Sequence, residues 1–189
     1  MTDSLPSTDA AGFLHPETVL GQIKIDKGMT VADFGCGTGH FTILIAKRVG
    51  GESGNEGKVY AVDVLEQPLE SVRSMAKSES ILNIETLRAN LEDIGAANIP
   101  DNSCDMVLIA NILFQSEKKE DIMMEAFRVL KEGGKVVLID WVPDKALFRG
   151  MGNYVMSPEE AQKIAADKGF SLERKIDVGT HHFGFIFVK

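Results

Sequence analysis

Apolar positions along this chain recur at two spacings, and the switches between them mark out its elements. From Pro16 the stretch PETVLGQIKI has proline near its start and Val19, Leu20 and Ile23 on one side, which predicts a short helix. MTVADF follows as a short apolar strand ending in a glycine turn, then GHFTILIAKRVG as an apolar helix closed by Gly50 and Gly51. After the polar, glycine-rich loop GESGNEGK come the strand VYAVDV and the amphipathic helix QPLESVRSMAKSE, with Pro68 in its first turn. IETLRAN and CDMVLIAN read as the third and fourth strands, the latter preceded by the turn IPDNS. Helical spacing is plainest in SEKKEDIMMEAFRVLKEGG, where Ile122, Ala126, Val129 and Leu130 share a face, and it predicts a helix running to Gly133 and Gly134. KVVLIDW is the fifth strand, and SPEEAQKIAADKGF a helix with Ser157 as N-cap, Pro158 at its first position and Gly169 as its stop.

Apolar strands alternating with helices call for an α/β fold, a parallel sheet covered on both faces. The tail breaks the alternation: SLERKIDVG and HHFGFIFVK are joined by a short turn, which permits only an antiparallel pair. The sheet is therefore expected to be mixed. Residues 1–12 are polar and are expected to be a disordered tail, leaving 13–189 as a single domain. No internal repeat or low-complexity tract interrupts it.

Composition narrows the class without naming it. At 189 residues, 44% hydrophobic and 25% charged, the chain suits one globular domain that needs no disulfide or metal staple. The N-terminus lacks the order of a signal peptide and no apolar run approaches bilayer length, so a cytoplasmic protein with no membrane partner is expected. Cys36 and Cys104 lack metal-ligand spacing and fit a reducing compartment; no metal site is expected. The net charge of −8 repels polyanions, so nucleic acid is not favoured as a partner and a small molecule is preferred.

The chemistry concentrates in VADFGCGTGH, Val31 to His40, at a strand–loop–helix junction. Gly35, Gly37 and Gly39 let backbone approach a ligand at the carboxyl end of the first strand, where open α/β sheets bind ligands. A dinucleotide fingerprint wants G-x-G-x-x-G, but His40 holds the third glycine's place. Asp33, two residues before the first glycine, opposes a pyrophosphate on the following helix and favours a ligand with an ammonium group. The methionyl end of S-adenosylmethionine carries an ammonium, a carboxylate and a sulfonium, and an acid beside bare amides suits all three.

On these residues the chain resembles the class I S-adenosylmethionine-dependent methyltransferase family, whose first motif is an acid before G-x-G-x-G. The resemblance implies a doubly wound, seven-stranded, mostly parallel sheet in the order 3-2-1-4-5-7-6, the last strand antiparallel and helices on both faces. It makes residues 13–189 a methyltransferase domain with S-adenosylmethionine as cofactor, held by Asp33, Gly35, Cys36, Gly37 and Gly39. Asp63, ending the second strand, would take the ribose hydroxyls, and Val64 would lie against the adenine face. Asn90, where the family often has Asp, and the Leu91 backbone would read the adenine edge. Asn111 to Gln115 would line the crevice beyond strand four, with Asn111 on the cofactor side and Phe114 and Gln115 towards the acceptor. The connection after strand five adds Phe148, Arg149 and Tyr154 as substrate candidates.

Displacement at a sulfonium needs alignment more than acid–base chemistry, and no base is conspicuous. Asp140, ending strand five, is the one candidate; the histidines read as capping, packing or hairpin residues. The acceptor and the oligomeric state are left open. Two other classes remain: a non-catalytic module that binds the cofactor or a partner, and a nicotinamide-dependent oxidoreductase, against which Asp33 and His40 argue.

Overall fold

A computed structural model describes residues 14–50, 56–143 and 155–189. In chain order these form α1 (Pro16–Gly21), β1 (Thr30–Phe34), α2 (His40–Val49), β2 (Lys58–Asp63), α3 (Glu66–Ser78), β3 (Ile84–Arg88) and β4 (Cys104–Ala110). A 3-10 turn (Leu113–Gln115) leads to α4 (Lys119–Val129), β5 (Leu130–Trp141), α5 (Pro158–Asp167), β6 (Ser171–Ile176) and β7 (His182–Val188). The strands make one sheet in the order β3-β2-β1-β4-β5-β7-β6. β3, β2, β1, β4 and β5 run parallel, and β7 lies antiparallel between β5 and β6. Sheet order and strand senses agree with those expected from the sequence.

The apolar run of β4 follows from cover on both sides of the sheet. Met106 and Leu108 point into a cluster with Val19 and Leu20 of α1 and Ile45 and Val49 of α2. Val107 and Ile109 point the other way, against Met123 and Ala126 of α4 and Ala165 of α5. Each of these side chains is almost wholly buried, contributing about 1.5–3 kcal/mol where a large aliphatic is concerned. The edge strand β6 reverses the pattern: it is exposed from Ser171 to Lys175, and its Glu173 pairs with Lys135 of β5 at 2.6 Å. A charged, short edge resists pairing with a second chain. Among the described residues no helix is long and apolar enough to cross a membrane.

The helix expected to run to Gly133 and Gly134 ends instead at Val129. Leu130 turns extended and pairs with Cys104, and the register then shifts so that Lys135 meets Met106. The glycines sit inside this irregularity, Gly133 with φ +73°. Helix continuation loses because the released carbonyls find a better partner: the Lys189 ammonium donates to the oxygens of Phe127 (2.8 Å) and Leu130 (2.7 Å). Lys131 meanwhile pairs with Asp105 at 2.6 Å. The face of α4 also buries Glu125, whose carboxylate is 2.7 Å from Arg128 and accepts from the Gly95 N–H at 2.9 Å. The expected tail over 1–12 and the substrate candidates Phe148, Arg149 and Tyr154 lie outside the described residues.

Candidate active site

At the carboxyl end of β1 the chain folds back over β2, because the N–H groups of Gly35 and Cys36 both donate to the Val62 carbonyl at 2.9 Å. Gly35 has φ +69°, and a Cβ there would lie 2.2 Å from Cγ2 of Ile112, so the loop and the segment after β4 touch where only glycine fits. Gly37, at φ +52°, is a different case: nothing lies within 4 Å of its missing Cβ, and the residue lines the cavity. Gly39 is the N-cap of α2 and packs on Val72. Across the turn, Asp63 accepts from the Gly37 N–H at 3.1 Å and from the Leu65 N–H at 2.9 Å, which pins the lip of the loop to the end of β2.

The cavity beside this lip measures about 550 Å³, in the range of small-molecule sites. Gly35, Gly37 and Asp63 form one wall, with the half-exposed Val64 beside them. Asn90, Leu91, Asn111 and Gln115 form others, so eight residues singled out from the sequence meet in one space. Asn90 is partly engaged in its own turn, accepting from the Glu92 N–H at 3.1 Å and donating to Asp93 at 3.3 Å. Its oxygen keeps one lone pair for a ligand donor. Asn111 carries two marks of a functional position. It is non-glycine at φ +58°, and its Oδ1 is buried without a hydrogen-bond partner among the described residues.

Asp33 stands behind the loop, 2% exposed, with its Oδ2 accepting from the Thr42 hydroxyl at 2.5 Å. Burial raises its pKa to about 6; Thr42 opposes the rise and the Asp63 charge adds to it. Cys36 is buried in the same place, and burial, then the charges of Asp33 and Asp63, push its thiol above the ordinary range. Burial also raises Cys104, to about 11, so neither thiol is available as a thiolate at neutral pH.

Asp33, Cys36 and Gly39 stand behind the cavity lining, not in it, and two further expected residues, Phe114 and Asp140, also sit differently. Phe114 does not line the cavity; its N–H donates to Oδ2 of Asp140 at 3.1 Å. Asp140 is fully buried, and its Oδ1 accepts from the Trp141 N–H at 2.8 Å. Burial raises its pKa to about 6, against hydrogen bonds from Trp141, Phe114 and Leu113 and the charge of Lys119. With its oxygens committed to backbone, Asp140 fastens the 3-10 turn to β5 and so positions Asn111 and Gln115; this is a positioning geometry. His40, at the start of α2, borders a separate hollow with Pro16 and Met75. The cavity wall also holds Glu92 and Ser116, whose side chains bond at 2.6 Å across the loops after β3 and β4. No spacing in the sequence brings those two loops together. Among the described residues no group of His, Cys, Asp and Glu is placed to hold a metal.

The donor set fits S-adenosylmethionine. A buried acid stands behind the glycine loop, a second acid sits at the lip, apolar Val64 and Leu65 form a shelf, and Gly37 leaves open space. Gly37→Ala is expected to leave stability within about 1–2 kcal/mol, since only φ strain opposes the methyl group. The same methyl group would occupy ligand space and weaken S-adenosylhomocysteine binding by about tenfold or more. Thermal unfolding and calorimetric titration check the pair, and equal affinity would remove Gly37 from the ligand surface.

A sheet of this order with an acid-then-glycine turn at its switch point defines a class I methyltransferase domain. Residues 25–176 match the family described as "Methyltransferase domain". A demethylmenaquinone methyltransferase of Listeria welshimeri is 32% identical over 139 residues, covering 71% of this chain and 56% of that protein. A ubiquinone/menaquinone biosynthesis C-methyltransferase of Salmonella arizonae is 31% identical over 118 residues, 62% of this chain and 44% of that one. The chain thus spans about half the length of these relatives. A SAM-dependent methyltransferase from Aquifex aeolicus has the same fold, with TM-score 0.78, 29% identity and coverage of 93% of this chain and 90% of that one. The chain belongs to the class I, S-adenosylmethionine-dependent methyltransferase family, and S-adenosylmethionine is its cofactor.

Proposed function

We propose that this protein methylates a ring carbon of a small quinol. The observation that carries the acceptor is the 32% identity to a demethylmenaquinone methyltransferase, supported by the term C-methyltransferase in the second relative's name. When bound, S-adenosylmethionine supplies an electrophilic methyl group on a positive sulfur. Asp33 and Asp63 hold the cationic and ribose ends, and the bare backbone at Gly37 admits the ligand closely. Asn111, held by its N–H to the Ile139 carbonyl at 2.9 Å, lines the crevice and keeps a buried Oδ1 without a partner among the described residues. Asp140 keeps that turn in place. The chain's work is alignment and exclusion of water, which suits an electron-rich ring carbon that takes the methyl group from sulfur and then loses its own proton to solvent, restoring the aromatic ring and leaving S-adenosylhomocysteine. The net charge of −8 supports a neutral or cationic small acceptor over nucleic acid.

Incubation with methyl-labelled S-adenosylmethionine and a short-chain demethylmenaquinol tests this. Label is expected in the solvent-extracted quinol, matched by S-adenosylhomocysteine. Intact S-adenosylhomocysteine binding without labelled quinol would reject this acceptor and leave the donor site standing.

A further inference from the structure

His182 opens β7 opposite Trp141, the last residue of β5. Both rings project from the sheet face that carries Met106, Leu108 and Ile139, the face of α1 and α2. Asp33, registered against Leu108, projects from the same face. Because β7 runs antiparallel, its first residue lies at the carboxyl edge of the parallel strands, the edge that bears the cavity. Ala110 pairs with Ile139, and Ile139 with Gly184. His182 is thus two strands across and two residues further out, about 12 Å from Ala110 between Cα atoms at ordinary sheet spacings.

The imidazole is 5% exposed, and neither Nδ1 nor Nε2 has a hydrogen-bond partner among the described residues. It stacks on the Trp141 indole with ring centroids 4.0 Å apart and a tilt of 36°. If the position served packing alone, Phe would stack as well without desolvating two polar atoms. Further along the same face of β7 the fold is closed: Gly184 leaves room that Ile176 and Val178 fill. At His182, by contrast, two polar atoms are left with nothing from the described fold. Burial and the charge of His181 hold the imidazole below its ordinary pKa, so at neutral pH it offers one donor and one acceptor.

The geometry points to His182, at the carboxyl edge of the sheet, as a binding residue for a ring oxygen, hydroxyl or carbonyl, of the acceptor. This rests on the methyl-transfer reading above and adds a side chain that would orient the acceptor. An acceptor oxygen at His182 places the opposite side of a bicyclic ring towards Asn111 and the donor.

Trp141 is the only tryptophan in the chain and stacks on His182, so its emission reports on the surroundings of that imidazole. The experiment titrates 1,4-naphthoquinone, which quenches indole emission, into the full chain saturated with S-adenosylhomocysteine. Saturable quenching is expected, weakened about tenfold in His182→Phe, the cost of one neutral hydrogen bond. His182→Gln should recover most of the affinity because its amide restores a donor and an acceptor. His182→Leu replaces the Phe variant should that ring pack badly. S-adenosylhomocysteine affinity, measured by calorimetry, should be the same in all of them, which separates a local loss from misfolding. Absence of saturable quenching in the unaltered chain, or equal affinity in the apolar variants, overturns the proposal. Quenching that depends on His182 in a protein that fails to label the quinol would sink the proposed reaction and keep this site.

Discussion

Replacing Asp63 with Ala is expected to weaken S-adenosylhomocysteine binding by about 2–3 kcal/mol, some 30- to 150-fold. Two losses combine. The carboxylate lines the cavity at the end of β2, where it would accept charge-assisted hydrogen bonds from a ribose. It also fixes the glycine loop through the Gly37 N–H and steadies Leu65. Asp63→Asn separates them, since its one amide oxygen can still take the Gly37 N–H while the charge is gone. Calorimetry should rank the chains Asp63, then Asn, then Ala, with the midpoint of thermal unfolding moving mainly for Ala. An unchanged affinity in the Ala variant would remove Asp63 from the donor site.

Asp33 is expected to make that binding depend on pH. Its carboxyl titrates near 6 in the free protein because burial disfavours the charge. A ligand ammonium favours the ionised form, so affinity should rise about tenfold between pH 5 and pH 7.5, with release of up to one proton. The stability effect has the opposite sign. A folded pKa raised from 3.8 to about 6 means that the native state holds the proton more tightly than the unfolded chain. That contribution is fully present below pH 3.8 and is lost as pH rises through 6, a loss of about 3 kcal/mol at neutral pH. Asp140, raised to about 6 by burial, adds a loss in the same window. Asp33→Asn keeps an acceptor for the Thr42 hydroxyl and has no charge to bury. It should therefore stabilise the ligand-free protein at pH 7.5 while weakening binding and flattening its pH profile. Thermal melts and calorimetry across pH 5–8 measure both. A pH-independent affinity in the unaltered chain would refute the assignment of Asp33 to the ligand's cation.

Destabilisation of the free protein by a group that the ligand rescues is a common mark of a binding site. The same conflict makes Asp33 conspicuous in the amino-acid sequence. A carboxylate two residues before a glycine turn, in an otherwise apolar strand, contradicts the strand's own pattern. Asp63 and Asn111 stand out for the same reason, polar residues at strand ends where apolar runs stop. Local conflict with the pattern is readable residue by residue. Asp140 shares that feature, but its oxygens turn to the backbone of the neighbouring turn, an outcome set by which face of β5 it occupies. The end of α4 is not legible in the same way. Helical spacing continues through Leu130, while the deciding interaction comes from Lys189, 59 residues away.

The amino-acid order by itself determined the alternation of strands and helices, the antiparallel last pair and the acid–glycine turn at the head of the sheet. Each is a short-range matter of periodicity, backbone freedom or charge within about ten residues. Only the tertiary structure decided which loops border the cavity, that Glu92 meets Ser116 and that His182 stacks on Trp141 with its nitrogens unfilled. The second pairing joins strands that are neighbours in the sheet and distant in the chain, the first joins loops whose strands are separated by β2 and β1, and burial and hydrogen-bond satisfaction exist only once the sheet has closed around them.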